Sequence, residues 1–436
     1  MVGIKKFGWH VSGEKKEGKN LGILAFETAK TMSRLISLYK SLSDEELSRL
    51  KNDVIRSEGV AFLNSGDADF LLGLACAERL EDLDRAAAAV SRLGKKCSDF
   101  GLERFDLVYR NLKQGLLVNS GKLKYGSAAA ERKIRKMERL VAATSCLHAA
   151  VESLTEMEVS ERKLQQWKNR DNDLQKANYD VLIQKLENQR RETRYFREIS
   201  LWNKSFDKCV DLMARVVCVV HRRICALFGP RRKFPANEKV FPHSGPLLTA
   251  AKPVMVRFYS RKSGLFFDEE EESATTNRVF HSAGPWTVGG SGLAMRYANV
   301  ILTAEKYLDS DAAISHLERE SFYEMLPENL KILVRAKLSK NLKCAENDAL
   351  LAEGWRDAVT EILRWLAPVA DDTVRWQMER SFEKAKFDAK PSSLLLQTLH
   401  FSDKEKTETA IAEILVGLSC IFRFENRKFV HSEEFY

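Results

Sequence analysis

Apolar side chains early in the chain recur in steps of three and four, at Leu21, Leu24, Thr28, Met32, Leu35, Tyr39 and Leu42. That spacing puts them on one face of a helix. Ser43-Asp44-Glu45-Glu46 then reads as a capping box, with the Ser hydroxyl and the Glu carboxylate each satisfying an orphan amide of a second helix. A third helix is expected from just after Asp67 to near Gly94, and a fourth from about Ser98 to Leu117. From Ser127 to about Phe228 the pattern is long and charged, with Ile134, Met137, Val141, Thr144, His148 and Val151 on one stripe. Two long helices broken between Asn169 and Asp173 account for it. The heptad run is too short for a coiled coil, so an antiparallel pair within the chain is expected.

The second half repeats the pattern. Leu293, Ala294, Tyr297, Ile301 and Ala304 share a helix face behind Thr287-Val288-Gly289-Gly290-Ser291-Gly292. Pro327 suits the first turn of another helix, and Pro368 is expected to end a helix running from Trp355 to Leu366. Ser402-Asp403-Lys404-Glu405 opens a last amphipathic helix through Ile411, Ile414, Leu415, Leu418 and Ile421.

Proline placement divides these halves. All nine prolines lie at or after Pro230, and six of them (Pro230, Pro235, Pro242, Pro246, Pro253, Pro285) fall between the two helical patterns. Helix interiors exclude proline, so the long proline-free start is itself a helix signal. The expected fold is all-α: two helical-bundle blocks with long helices, separated by a proline-rich basic linker. The expected boundaries are a basic tail at 1–20, an N-terminal helical domain at 21–228, a flexible linker at 229–287, a C-terminal helical domain at 288–426 and a tail at 427–436. Within the linker, alternation of Val254, Val256 and Phe258 with Met255, Arg257 and Tyr259 suggests a short extended piece.

Composition narrows the class. A chain of 436 residues that is 44% hydrophobic can bury a sizeable core, and its 30% of charged residues with mixed signs suits solvated helices. The eight cysteines form no C-x-x-C pair, nothing resembles a secretory signal, and no apolar run is long enough to span a membrane. An intracellular location with reduced thiols is therefore expected. Met1-Val2-Gly3-Ile4 lacks the Gly directly after Met that myristoylation requires, so any membrane contact is expected to be peripheral.

Three patterns invite a chemical reading. Cys218, His221 and Cys225 fall on one helix face and would suit zinc if a fourth ligand arrived. The same spacing is the ordinary buried seam of a helix, which is preferred because structural zinc usually takes two close ligand pairs. Gly289-Gly290-Ser291-Gly292 offers amides of the kind that hold phosphate, yet it lacks a P-loop ending and a preceding strand, and it misses G-x-S-x-G by one residue. Close packing is the preferred reading there as well. The remaining histidines form no H-E-x-x-H or similar pair. No catalytic residue, metal or cofactor is expected.

Charge supplies the strongest functional candidate. Between His221 and Phe267 ten basic residues face Glu238 alone, so this window carries an excess equal to the whole chain's +9. Five acids follow at once, Asp268 to Glu272. Arg222, Arg223, Arg231, Arg232, Lys233, Arg257, Arg261 and Lys262 are the candidate contacts to anions or partners, whether nucleic-acid phosphate, an acidic protein, an anionic lipid surface or an import receptor, against the equally weighted reading of a solvated basic linker with no ligand. No helix-turn-helix, finger or stacking-sheet motif accompanies them, so specific nucleic-acid reading is not expected. Ser263, beside Arg261-Lys262, and Ser260 before them are candidate phosphorylation sites whose modification would reduce that charge.

Two sets of strings carry a family resemblance. Leu21-Gly22-Ile23-Leu24-Ala25-Phe26-Glu27-Thr28-Ala29, Ser41-Leu42-Ser43-Asp44, Arg56-Ser57-Glu58-Gly59-Val60 and Asp69-Phe70-Leu71-Leu72 resemble the N-terminal domain of unknown function of the plant PSK SIMULATOR family. Gly292-Leu293-Ala294-Met295-Arg296-Tyr297-Ala298-Asn299-Val300-Ile301, Met325-Leu326-Pro327 and Leu395-Leu396-Gln397-Thr398-Leu399-His400-Phe401 resemble its C-terminal partner. The chain lacks the Met-Gly start and the long serine-rich extensions of larger members. The resemblance implies a plant growth regulator connected with phytosulfokine signalling, located in the nucleus or at the cytoplasmic face of the plasma membrane, with no catalytic residues to carry over. The expected role is a non-enzymatic helical adaptor whose partners are signalling proteins; the alternative is a peripheral membrane protein that binds anionic lipids through the basic linker.

Overall fold

The computed structural model describes residues 20–115, 127–167, 173–229, 278–310, 315–341, 349–380 and 393–433. Among these residues the fold is all-α, and its only β-type pairings are isolated bridges, Asn20 with Ser205 and Thr287 with Asp403. In the N-terminal half α1 spans Ala25–Lys40, α2 Asp44–Arg49, α3 Glu58–Leu63, α4 Ala68–Gly94, α5 Phe100–Glu103 and α6 Phe105–Lys113. Then come α7 (Ser127–Trp167), α8 (Asp173–Ile199) and α9 (Phe206–Phe228). The C-terminal half holds α10 (Arg278–His281), α11 (Ala294–Leu308), α12 (His316–Met325), α13 (Glu328–Asn341), α14 (Ala349–Arg380) and α15 (Lys404–Glu433).

Local chemistry explains most of the boundaries. Ser43 caps α2 by accepting the Glu46 amide at 3.2 Å, but the Glu46 carboxylate turns to Arg49 at 2.7 Å, so the expected reciprocal box is half made. Asp67 caps α4 by accepting the Asp69 and Phe70 amides. The single helix expected from Ser98 to Leu117 is two. Asp99 caps a one-turn helix whose end at Leu102 lies so close to Gly94 that a Cβ there would sit 2.2 Å from the Leu102 carbonyl oxygen. That contact folds the chain back before α6 begins.

The region 127–228 holds three helices rather than two. The extra break comes at Ser200–Ser205, where the buried Leu201 amide donates to Thr144 Oγ1 at 3.1 Å and Ser200 caps a short turn. Along α7 the buried stripe moves from Ile134, Met137, Val141 and Thr144 to Leu147 and Ala150, which leaves His148 exposed. The stripe turns because α8 covers this stretch, with Gln189 Nε2 and Thr193 Oγ1 both reaching the Ala150 carbonyl. Pro368 does not end its helix but lies inside α14. Its neighbours Leu366, Ala367, Val369 and Ala370 are all buried, and that burial outweighs the local helix penalty of roughly 3 kcal/mol.

Three apolar clusters organise the packing. The first joins α1, α4, α6, α7 and α9 through residues such as Met32, Leu35, Leu83, Val90, Phe105, Met137 and Met213. The second joins α11, α13, α14 and α15 through Tyr297, Ile301, Leu330, Leu363, Ile411 and Ile414, and it also encloses Leu63 from α3. The third is mixed: Leu50, Ile55, Val60, Leu71, Leu74 and Ala75 meet Val279, Trp376 and Leu394 to Leu396. Helix α4 belongs to two clusters, its first half to the third and its second half to the first. At about 1.5 Å per residue its 27 residues run roughly 40 Å, enough to link both.

Within residues 278–287, which the proline pattern places in the linker, buried positions alternate with exposed ones such as His281, Pro285 and Trp286. Val279 is buried and its amide donates to Glu81 Oε2 at 2.9 Å, and Thr287 and Val288 are buried as well. Phe228, the last residue of α9, packs against the same third cluster as Val279 and Phe280.

Candidate functional site: the seam between the two halves

The third cluster is the seam, and a buried acid lies at its centre. Glu78 falls on the α4 stripe that continues Leu71, Leu74 and Ala75, and it is 2% exposed. One carboxylate oxygen accepts the Trp376 indole N–H at 3.0 Å and the other accepts the Leu395 amide at 2.8 Å. Both donors come from the C-terminal half. A carboxylate withdrawn from water needs such partners, since burying it unpaired costs several kcal/mol.

A second polar bridge runs through Asn64, just after α3. Its Nδ2 donates to the Leu396 carbonyl at 2.5 Å, and its Oδ1 accepts from Ser402 Oγ at 2.7 Å. The Asp403 amide donates to the Leu63 carbonyl at 2.8 Å, and Lys406 Nζ to the Phe62 carbonyl at 3.0 Å. At the crossing of α3 and α14, a Cβ on Gly59 would sit 2.4 Å from the Trp365 carbonyl oxygen, so only glycine permits this approach. The exposed pair Arg364–Glu58 at 3.0 Å rims the crossing and adds little to stability.

Three nearly parallel rings line the inner side of the seam. His400 stacks on Phe280 with centroids 4.1 Å apart, and Phe280 stacks on Trp376 at 5.5 Å. His400 Nε2 lies 2.8 Å from the Phe280 carbonyl, to which it donates as the neutral ring. Burial holds its pKa below the ordinary histidine value, opposed in part by that hydrogen bond.

The glycine turn abuts the same histidine. A Cβ on Gly289 would lie 2.2 Å from His400 Nδ1, and one on Gly290 would lie 1.9 Å from the Gly284 carbonyl oxygen. All four amides of the turn are engaged internally: Gly289 with the His400 carbonyl, Gly290 with Thr287 Oγ1, Ser291 with the Thr287 carbonyl and Gly292 with the Gly289 carbonyl. The turn therefore offers packing, with no donor left for a phosphate.

A cleft of about 410 Å³ opens on the outer side of the seam, between a π-helical turn at Leu50–Val54 and α14. Arg49, Asp53 and Glu58 line it from one half, Arg364, Pro368 and Asp372 from the other. Its charges are largely matched by neighbours: Arg49 by Glu46, Arg364 by Glu58 and Glu361, and Asp372 by Ser393 Oγ at 2.9 Å and Gln397 Nε2 at 3.2 Å. Burial raises the Asp372 pKa. Pro368 has no N–H, so the Arg364 carbonyl lacks the donor that a helix would normally give it.

The basic residues singled out from the sequence divide. Arg222 and Arg223 lie on α9. Arg223 Nε donates to the Leu42 carbonyl at 2.9 Å and its guanidinium covers the Tyr39 ring at 5.1 Å, so it secures the end of α1. Arg231, Arg232, Lys233, Arg257, Arg261, Lys262, Ser260 and Ser263 lie outside the described residues, as do the extended piece expected at 254–259 and the acidic run at 268–272. Cys218 and His221 are buried while Cys225 is exposed, with its sulfur 3.9 Å from His221 Nδ1. Burial pushes the Cys218 thiol up to about 11. Among the described residues no group of three or more His, Cys, Asp or Glu is placed to hold a metal ion, and no helix is long and apolar enough to cross a membrane.

Glu78, Asn64 and Trp376 escaped the sequence reading. One signal was present, an acid at position i+7 of the apolar stripe that starts at Leu71.

Comparison with known proteins finds two domain families meeting at this seam. Residues 23–79 match a "Domain of unknown function (DUF3475)" and residues 287–375 a "Protein of unknown function (DUF668)". In Arabidopsis thaliana, Protein PSK SIMULATOR 3 is 26% identical over 94% of this chain and 58% of its own length. Protein PSK SIMULATOR 1 is 25% identical over 96% of this chain and 58% of its own, and Protein PSK SIMULATOR 2 is 23% identical over 94% and 61%. The chain spans about three-fifths of the length of these curated relatives. No solved structure matches it. The resemblance to the PSK SIMULATOR family thus holds along nearly the whole chain.

Proposed function

We propose, from a chain that resembles the PSK SIMULATOR proteins almost end to end, that it is a non-enzymatic regulator of plant growth acting in phytosulfokine-linked signalling. The observation that carries this reading is the breadth of the similarity, which covers 94% of the chain and includes a match to each of the two domain families. In this reading the helical halves present faces to signalling proteins, and the basic stretch containing Arg231, Arg232, Lys233, Arg257, Arg261 and Lys262 tunes location between nucleus and plasma membrane. Phosphorylation at Ser263 would weaken its anionic contacts. Plants lacking the chain should show a reduced growth response to added phytosulfokine. An unaltered response would remove the reading.

The charge window supports a second reading, a peripheral membrane protein that docks on anionic lipids through the same residues. Sedimentation with acidic and neutral vesicles at low salt separates the two. The variant to use neutralises Arg231, Arg232, Lys233, Arg257, Arg261 and Lys262 and spares Arg223, which holds α1 and α9 together. No binding of the unaltered chain to acidic vesicles would leave the adaptor. Binding that this variant loses would favour the lipid contact.

A further inference from the structure

We infer that the face formed by α3 and the first half of α4 is the docking surface for this chain's own C-terminal half. The two matched domain families are then complementary parts of one unit, held together by their own contacts.

Four observations carry the inference. The Glu78 carboxylate takes its two donors, Trp376 Nε1–H and the Leu395 amide, from the other half of the sequence, so separation would strip both from it. Asn64 is bonded on both sides of its amide by Leu396 and Ser402, which fixes register as well as proximity. Leu63 is fully enclosed in the cluster of the C-terminal half, while Val279 and Trp376 complete a cluster begun by Leu50, Leu71 and Leu74. Finally, Phe228 at the end of α9 and Val279 at the start of the C-terminal half both pack on that same cluster.

The seam donors lie at residues 376, 395 and 402 to 406, beyond the matched C-terminal segment that stops at 375. The surface therefore recognises α15 and the turns before it as much as the domain core. Modification between 230 and 277, at Ser263 for example, then acts through local charge and not by moving one half against the other.

The experiment uses the full chain with a specific protease site introduced between Ser244 and Gly245. After cleavage, the protein at micromolar concentration should elute from a native sizing column at the position of the intact monomer and separate into two fragments only in denaturant. Cleaved protein carrying Glu78→Gln and Asn64→Ala should release its halves at concentrations where the unaltered pair stays together. Two fragment peaks from the cleaved unaltered protein would overturn the inference. Elution at twice the monomer mass would also overturn it, by showing that the surface takes the C-terminal half of a second copy.

Discussion

Helices α7 and α8 pair as a long arm, and the seam is also a helical contact, yet the two are held by different chemistry. Past Ala150 the apolar residues Val151, Leu154 and Met157 of α7 and Leu182 and Ile183 of α8 are only half-buried, with Leu186 and Thr193 the enclosed exceptions. Most of the cross-links there are exposed, such as Arg190 with Glu158 at 3.4 Å, and the more sheltered ones meet at the Ala150 carbonyl, from Gln189 Nε2 at 3.3 Å and Thr193 Oγ1 at 3.4 Å. Across the seam, Leu63, Leu71, Leu74 and Leu396 are fully enclosed and the polar groups are buried with them. The arm spreads weak, solvent-screened terms along its length, whereas the seam concentrates its stability in a few positions withdrawn from water.

The largest test of that contrast is Glu78→Ala. Leaving two buried donors unpaired at about 1–3 kcal/mol each should destabilise the protein by roughly 3–5 kcal/mol in urea denaturation. Glu78→Gln keeps one acceptor and should lose less. A loss below about 1 kcal/mol for the alanine variant would put the seam on a par with the arm.

Gly59→Ala should come next. The new methyl would meet the Trp365 carbonyl oxygen at 2.4 Å and Val369 Cγ2 at 2.8 Å, and overpacking of this kind costs about 1–3 kcal/mol.

Acid should act on the seam through His400. Its pKa is held below the unfolded value, so as pH falls through the ordinary histidine range the unfolded chain takes up the proton first and stability is lost. Asp372 has the opposite sign: its raised pKa means that its ionisation disfavours the folded state, an effect that sets in as pH rises through the carboxylate range. Melting temperature should therefore drop between pH 7.5 and pH 5.5, and His400→Gln should flatten that slope. An unchanged slope would place the sensitive group elsewhere.

The smallest effects belong to the arm. Val159→Ala and Val181→Ala, at side chains 39% and 51% exposed, should each change stability by no more than about 0.5 kcal/mol. A loss above 1 kcal/mol in equilibrium unfolding would mean that the arm is covered in solution.

Much of the helical layout was legible because its causes are local. The absence of proline before residue 230, the Asp67 cap and the Ser43 cap lie within a few residues of the helices they define. Pro368 misled because a helix buried on both sides of it tolerates a missing hydrogen bond, and the break near Leu201 depends on Thr144, 57 residues away. The seam was hidden for the same reason, since Glu78 meets partners 298 and 317 residues distant. Yet several strings that carried the family resemblance, Arg56 to Val60, Asp69 to Leu72 and Leu395 to Phe401, lie on or beside this seam. The likeness was being read partly from packing that holds the halves together.

Phe228 and Val279 are both anchored on the third cluster, and that gives the intervening stretch room to evolve. Closing a loop costs only about 0.6 kcal/mol more for each doubling of its length, so insertions there scarcely tax the fold. Within one scaffold, lineages can lengthen, shorten or recharge this stretch, and can diversify what the protein responds to while its helical body stays the same.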